Sequence, residues 1–300
     1  MQRVSITNQK SAVTKSLLNW YRKNSRPLPW RKTHNPYRIL VSEIMLQQTQ
    51  VNRVIQKYPE FIRRFPNFQA LAQAHRADVI RAWAGMGYNN RALRLKQIAL
   101  QVVQDLDGKL PEDVEVLQNL PGIGRYTAHA VACFAFKQQT AMVDTNVRRV
   151  LSRIFPRKAQ SMEEWNLAEW ILPKEKAYEW NQALMELGGS ICTNSVPQCS
   201  VCPVHRYCRS AFNVRKTEAS ISKKELNSIP DRIYRGRVIS TLCSLGRQQS
   251  IEIRRLAKIV KPDICISETM WFTTLLKGLQ RDGLITCYHR RKNIMVSLPR

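Results

Sequence analysis

The chain is expected to fold as a mainly helical protein with a small mixed module at its C-terminal end. Three observations lead there. Amphipathic helical patterns succeed one another from Ala12 to about residue 189. A tight turn on Pro121, Gly122 and Gly124 opens directly into a helix at Arg125. After residue 228, three helical patterns precede two strand patterns, Leu284 to Tyr288 and Ile294 to Leu298.

Composition narrows the function classes. With 300 residues and 44% hydrophobic content, the chain can bury a sizeable core, as two domains or as one with an appendage. Its net charge of +26 calls for a polyanion, and because Lys and Arg are spread throughout, nucleic acid is a better partner than a membrane. No apolar run is long enough to span a bilayer. Residues 1–42 hold no Asp or Glu, as in an organellar transit segment, yet the apolar core of a secretory signal is absent. A helix already reads from Ala12, which places the protein in the cytoplasm, associated with the nucleoid.

Taken in order, a helix over 12–23 leads to Arg26-Pro27-Leu28-Pro29-Trp30-Arg31, extended because of its two prolines. The next helix is expected over 36–58. Its apolar run Ile39, Leu40, Val41, Ile44, Met45, Leu46 embeds Glu43, and burial raises a carboxyl pKa towards a usable general acid. A solvated stripe is the alternative. Gln47, Gln48 and Thr49 follow as polar groups able to read a base. Helices over 68–74, 77–84 and 90–105 come next, the last carrying Arg91, Arg94 and Lys96. Between them, Gly85-Met86-Gly87-Tyr88-Asn89 is either a plain loop or a turn that pushes a side chain into a base stack.

The segment from Leu120 to Ile154 organises the rest. At Gly122, Ile123, Gly124 and Arg125 the unpaired N–H groups of a helix start suit a phosphate. The run Thr140–Val143 then delivers Asp144 to a further helix bearing Arg148, Arg149 and Arg153. An ordinary turn and an ordinary N-cap are the alternatives. Helices over 147–155, 162–171 and 177–189 follow, with Gln182 and Glu186 on one face.

Cys192, Cys199, Cys202 and Cys208 are close enough in sequence to close around one soft inorganic centre, iron–sulfur or, alternatively, zinc. His205, Arg206 and Arg209 lie in or beside that loop, and its cations suit phosphate. Cys133, Cys243, Cys265 and Cys287 stand singly and read as reduced core residues. Residues 213–228 form a polar linker. Helices over 231–245, 250–260 and 267–281, then two strands joined through Arg290, Arg291 and Lys292, have the order of a winged helix, with a scaffold or protein-contact module as the alternative.

Together, Arg26–Arg31, Ser42–Gln50, Gly85–Arg91, Leu120–Ala128, Val143–Val150 and the cysteine loop resemble, in order, the helix-hairpin-helix DNA glycosylases of the MutY adenine type. The resemblance covers roughly residues 12–212. It implies a two-lobed helix-hairpin-helix glycosylase fold: a six-helix barrel over 29–135, an iron–sulfur lobe from 1–28 and 136–212, then the linker and a winged-helix-like domain over 229–300.

The family's roles fall on matching residues. Glu43 is then the acid that protonates adenine at N7, Asp144 the carboxylate that steadies the sugar cation, and Tyr126 the pocket tyrosine. Trp30, Arg31, Leu46, Gln48 and Glu186 line the adenine pocket. Thr49 and Tyr88 face the opposite, oxidised guanine, and Gln47 and Met86 are grouped with them as opposite-base or DNA-binding positions. Met86 stands where the family usually has Leu. The four clustered cysteines hold a 4Fe-4S cluster.

The implied activity is base excision repair by a monomer acting on duplex DNA with a mismatched or oxidised base pair. Relatives that cleave the strand carry an amine in place of Tyr126, so a monofunctional glycosylase is expected. The family's usual larger C-terminal domain is replaced here by residues 229–300. A thymine or uracil glycosylase at G mismatches and a non-catalytic iron–sulfur regulator are the remaining alternatives.

Overall fold

The computed structural model describes residues 6–155, 163–214, 229–246, 249–291 and 293–300. Its helices begin with α1 (Ile6–Asn24), α2 (Pro36–Leu46), α3 (Val51–Arg64), α4 (Phe68–Gln73), α5 (Arg76–Trp83), α6 (Asn90–Asp105) and α7 (Val114–Gln118). They continue with α8 (Arg125–Phe136), α9 (Thr145–Ile154), α10 (Glu164–Ile171) and α11 (Ala177–Ser190). The C-terminal segment contributes α12 (Asp231–Ser244), β1 (Ile251–Glu252), α13 (Ile253–Val260), α14 (Thr269–Arg281), β2 (Thr286–Arg290) and β3 (Asn293–Ser297). The fold is mainly helical, as expected. No helix among the described residues is long and apolar enough to cross a membrane.

The chain divides into two compact units: Met1–Leu40, Pro111–Asn119 and Ile123–Ala219 form one, and Val41–Leu110, Leu120–Gly122 and Ser220–Arg300 the other. This groups the segments differently from the lobes implied by the resemblance. Most of the expected linker, 215–228, lies outside the described residues, as do 156–162 and Lys292.

In the first unit, Val13, Leu17 and Leu18 of α1 share one buried cluster with Val147, Val150 and Leu151 of α9 and Trp180, Leu184 and Leu187 of α11. Each such side chain contributes about 1.5–3 kcal/mol on burial, which fixes the start of α9, where Asp144 sits. Helix α1 begins at Ile6 rather than Ala12. The cause is long-range: Gln9 Nε2 donates to the carbonyls of Tyr207 at 2.7 Å and Ile154 at 3.2 Å, and Lys10 Nζ donates to that of Trp170. Helix α7 was not anticipated; Asp113 caps it, accepting from the N–H groups of Glu115 and Val116 at 2.8 and 2.9 Å.

In the second unit, Phe61 meets Phe65 and Trp83 edge-on, with ring centroids 5.1 and 5.8 Å apart. The single helix expected over 36–58 is two, α2 and α3. Gln48 turns left-handed at φ +51. That break is stabilised from outside, because Arg91 of α6 donates to the carbonyls of Ile44 at 2.9 Å, Met45 at 3.0 Å and Gln47.

The C-terminal segment pairs its strands antiparallel in the order β1-β3-β2. The helix expected over 250–260 gives up Ile251 and Glu252 to β1, opposite Val296 and Met295. Cys265, expected in the core, is exposed. Its N–H donates to Glu268 at 3.2 Å in the turn that starts α14.

Candidate functional site

In the second unit, Glu43 is 3% exposed, within residues 39–45 of α2, all buried. That removes the solvated-stripe alternative. Leu46 is half-buried and ends the helix; Gln47 and Thr49 are half-buried in the turn after it, and Gln48 is exposed. Arg91 holds this turn and a second one. Its Nη2 donates to Thr49 Oγ1 at 2.9 Å and to the Gly87 carbonyl at 3.1 Å, while its guanidinium lies over the Trp83 and Tyr88 rings at 5.4 and 5.6 Å. Burial lowers the Arg91 pKa to about 10, still charged at neutral pH.

Within the Gly85–Asn89 turn the structure corrects one expectation. Met86 is buried, at 2% exposure, whereas Tyr88 is 53% exposed and held at φ +46. The side chain on display is therefore the aromatic one.

The hairpin between α7 and α8 turns at Gly122, whose φ is +81 and where an added Cβ would stand 2.9 Å from Arg94 Cδ. The positive φ is what calls for glycine there, since Arg94 can swing aside. Gly124 is different. It is extended at φ −88, and an added Cβ there would meet nothing within 4 Å among the described residues, so its bareness leaves room for an approaching group. It is the N-cap of α8 with no side-chain cap, and the first helical bond runs from Ala128 N to Gly124 O. The N–H groups of Arg125, Tyr126 and Thr127 thus lack an intrahelical carbonyl. Ile123 is buried, and exposed Arg125 lies over the Trp165 ring at 4.0 Å.

In the first unit, half-buried Tyr126 directs its hydroxyl at Met185 Sδ, 3.7 Å away. Asp144 is indeed an N-cap: Oδ1 accepts from Val147 N at 2.6 Å, and Oδ2 from Asn146 Nδ2 at 2.9 Å. Capping does not exclude chemistry. It orients a half-buried carboxylate at a helix N-terminus, where the dipole favours the anion. Asn146 Oδ1 in turn accepts from Arg149 Nη2 at 2.7 Å, and Arg149 continues to the carbonyls of Gly188 at 2.7 Å and Cys192 at 2.9 Å. A hydrogen-bonded path therefore joins Asp144 to the cysteine loop.

Glu186 is 2% exposed and bound by Arg31 Nη2 at 2.7 Å and Arg26 Nε at 2.5 Å. Gln182, one turn before it, accepts from Arg31 Nε at 2.8 Å. The surroundings are dry enough that burial pushes the nearby Tyr21 hydroxyl up to about 12 and raises Tyr178 as well. Trp30 is buried beside them in sequence. Arg31 and Glu186 are thus a structural ion pair, positioned by the two prolines before Arg31 and by the i, i+4 spacing of Gln182 and Glu186.

Cys192, Cys199, Cys202 and Cys208 line one cavity with Leu187, Ile191 and Val204. Burial pushes the Cys202 thiol up to about 11, with the other three cysteines adding to the effect, and burial raises Cys208 too. Such thiols ionise readily only against a cationic centre. Among the described residues, no three His, Cys, Asp or Glu side chains gather tightly enough to share one metal ion. Four thiols lining one cavity are a donor set that fits a soft inorganic centre. Arg153 Nη1 stands 3.4 Å from Cys192 Sγ, adding positive charge at the rim.

With this geometry in place, the likenesses to known proteins become specific. Residues 41–173 match the HhH-GPD superfamily of base excision DNA repair proteins. An adenine DNA glycosylase of Mycobacterium tuberculosis is 38% identical over 290 residues, spanning 94% of this chain and 93% of its own length. The chain belongs to the adenine DNA glycosylase family. A human member is 41% identical over 236 residues, 74% of this chain but 43% of the human one. Among solved structures, a thermostable thymine-DNA glycosylase covers 70% of this chain and 100% of its own at 29% identity, with a TM-score of 0.66.

Arg26, Arg91, Asn146 and Arg149 went unassigned in the sequence reading. Each reaches a partner by hydrogen bonds, and for Arg91 and Arg149 most of those partners are backbone carbonyls, which leave no residue signature.

Proposed function

We propose that this member of the adenine DNA glycosylase family hydrolyses the N-glycosidic bond of adenine mispaired with 8-oxoguanine or guanine in duplex DNA, as a monofunctional, monomeric enzyme. One observation carries the chemistry. Glu43 is a carboxyl at 3% exposure inside the apolar run of α2, the kind of setting from which a side chain can act as a general acid.

In this reading, Glu43 protonates N7 of a flipped-out adenine and makes it a competent leaving group. Asp144, steadied by Val147 N–H and Asn146, meets the positive charge that develops on the sugar. Water then completes hydrolysis. Tyr126 offers no amine, so no Schiff base forms and the strand stays intact. Arg31 and Glu186 stiffen one wall of the adenine pocket. Tyr88 and Thr49, both held by Arg91, face the opposite base. Gly122 to Arg125 bind backbone phosphate at the N-terminus of α8, where Gly124 supplies no side-chain cap. The four clustered cysteines would hold a 4Fe-4S cluster, which on this reading is structural and orients the loop on DNA.

The whole-length adenine relative supports adenine over thymine, while the likeness to a thymine-DNA glycosylase keeps thymine as the second reading. A panel of duplexes bearing A, T or U opposite G and 8-oxoguanine separates them: release of adenine is expected, and preferential release of thymine overturns the choice. Glu43→Gln and Asp144→Asn should each abolish base release while keeping duplex affinity.

A further inference from the structure

The C-terminal segment carries an open groove that the glycosylase reading does not use. Its polar walls are Thr273, Lys277, Gln280 and Arg281 on α14 and Tyr288 and His289 of β2, and Ile253, Leu276, Cys287 and Ile294 also line it. Lys277 and Arg281 are exposed, one helical turn apart, and in no ion pair among the described residues. Among the described residues no acidic side chain lines the groove. The adjacent carboxylate, Asp282, is taken up by Arg235 at 2.5 Å. At the far end of the hairpin, Arg290 and Arg291 are exposed as well.

This segment is not loosely appended to the second unit. Ile80 of α5 is a fully buried member of its hydrophobic cluster, and Ala77 and Leu93 pack against that cluster. Arg81 Nη2 donates to the Gly246 carbonyl at 3.4 Å. The groove is therefore held on α5 and α6, the two helices that flank the Gly85–Asn89 turn bearing Tyr88.

We propose that the groove between α14 and β2 is a second duplex-binding surface, in which Lys277, Arg281 and the Arg290–Arg291 tip contact backbone phosphates of the DNA engaged by the rest of the second unit. The occupant follows from charge and continuity. A rim of cations without carboxylates suits phosphate, polar Thr273 and Gln280 suit the same backbone, and the docking helices lead into the turn assigned to DNA. The proposal rests on the glycosylase reading for the identity of the polyanion.

The test compares the full chain with Lys277→Glu/Arg281→Glu and, as a gentler check on folding, Arg290→Gln/Arg291→Gln. Binding to a mispair-bearing duplex is followed against salt, on a long duplex and on one trimmed to the minimum that supports base release. On the long duplex each double variant should bind more weakly, with a log–log salt slope shallower by about 2. On the trimmed duplex the variants should match the parent, and base release under excess enzyme should be unchanged. Parallel slopes on the long duplex, or equal losses on both lengths, overturn the proposal. Failure of the unmodified chain to release any base instead overturns the glycosylase reading, and the binding comparison still stands.

Discussion

Asn146 Nδ2 donates to Oδ2 of Asp144 at 2.9 Å, so the capping carboxylate is held by a side chain as well as by its own helix. A hydrogen bond to a charged acceptor is worth about 1.5–3 kcal/mol. If it acts mainly where charge develops on the sugar, Asn146→Ala should slow base release about tenfold to a hundredfold with little change in duplex affinity. Single-turnover kinetics beside equilibrium binding checks this, and an unchanged rate would show that Asn146 does not position the carboxylate.

Gly188 lies directly under this arrangement. A Cβ there would stand 2.8 Å from Asn146 Cβ, 3.3 Å from Val150 Cγ2 and 3.4 Å from the Asn146 carbonyl carbon. Because the last of these is backbone, rotamer changes cannot relieve the crowding, and the first turn of α9 must move away from α11. Gly188→Ala is expected to cost about 1–3 kcal/mol in denaturant unfolding. It should also lower base release beyond what the loss of stability explains, since Asp144 moves with that turn. Wild-type activity in a destabilised Gly188→Ala protein would separate packing from positioning.

The burial of Glu43 and the capping role of Asp144 were legible in the sequence. Glu43 stood out because a lone carboxylate interrupts a long apolar run, and its burial follows from the neighbours that bury the helix. Asp144 was marked by the residues after it, and its roles as cap and candidate catalyst coexist. The arginine contacts were not legible. Arg91 reaches carbonyls 46 and 47 residues away, and Arg149 reaches one 43 residues away. Any residue type can offer a backbone carbonyl, so no motif announces the acceptor. The same blindness hid the break after Leu46, where local pattern continued as helix and a distant guanidinium ended it. Met86 was misread because a glycine-flanked apolar residue looks exposed until its turn is seen folded inward.

His129 gives the protein a titration that stability measurements can detect. Its Nδ1 is 2.6 Å from Thr140 Oγ1 and its ring 4.7 Å from that of Trp165. Burial, helped by the Arg125 charge, lowers its pKa below the ordinary 6.5, while Glu169 opposes the shift. The unfolded chain therefore binds the proton more readily. The stability tied to neutral His129 is complete above about pH 6.5 and falls as pH drops from there towards the lowered folded pKa. Replacing it by Gln, which keeps hydrogen-bonding capacity, should flatten this part of the urea-midpoint profile. Identical slopes in the two proteins would assign the acid sensitivity to other groups.

Arg91 offers the sharpest contrast between charge and shape. It is 4% exposed and bonds both the turn after α2 and the turn before α6. Lysine would preserve the charge at this position without the fork, and its single ammonium cannot reach the Ile44, Met45, Thr49 and Gly87 acceptors together. Arg91→Lys should therefore behave much like Arg91→Ala, each losing about 3 kcal/mol or more as buried carbonyls go unpaired. Both should also loosen Tyr88 and Thr49 together. On the proposed assignment that reduces discrimination between 8-oxoguanine and guanine opposite adenine more than it reduces adenine release itself. Measuring base release from the two duplexes, at a temperature where the variants remain folded, decides the point. Near-normal stability and discrimination in Arg91→Lys would mean that charge alone, and not the forked geometry, holds the two turns.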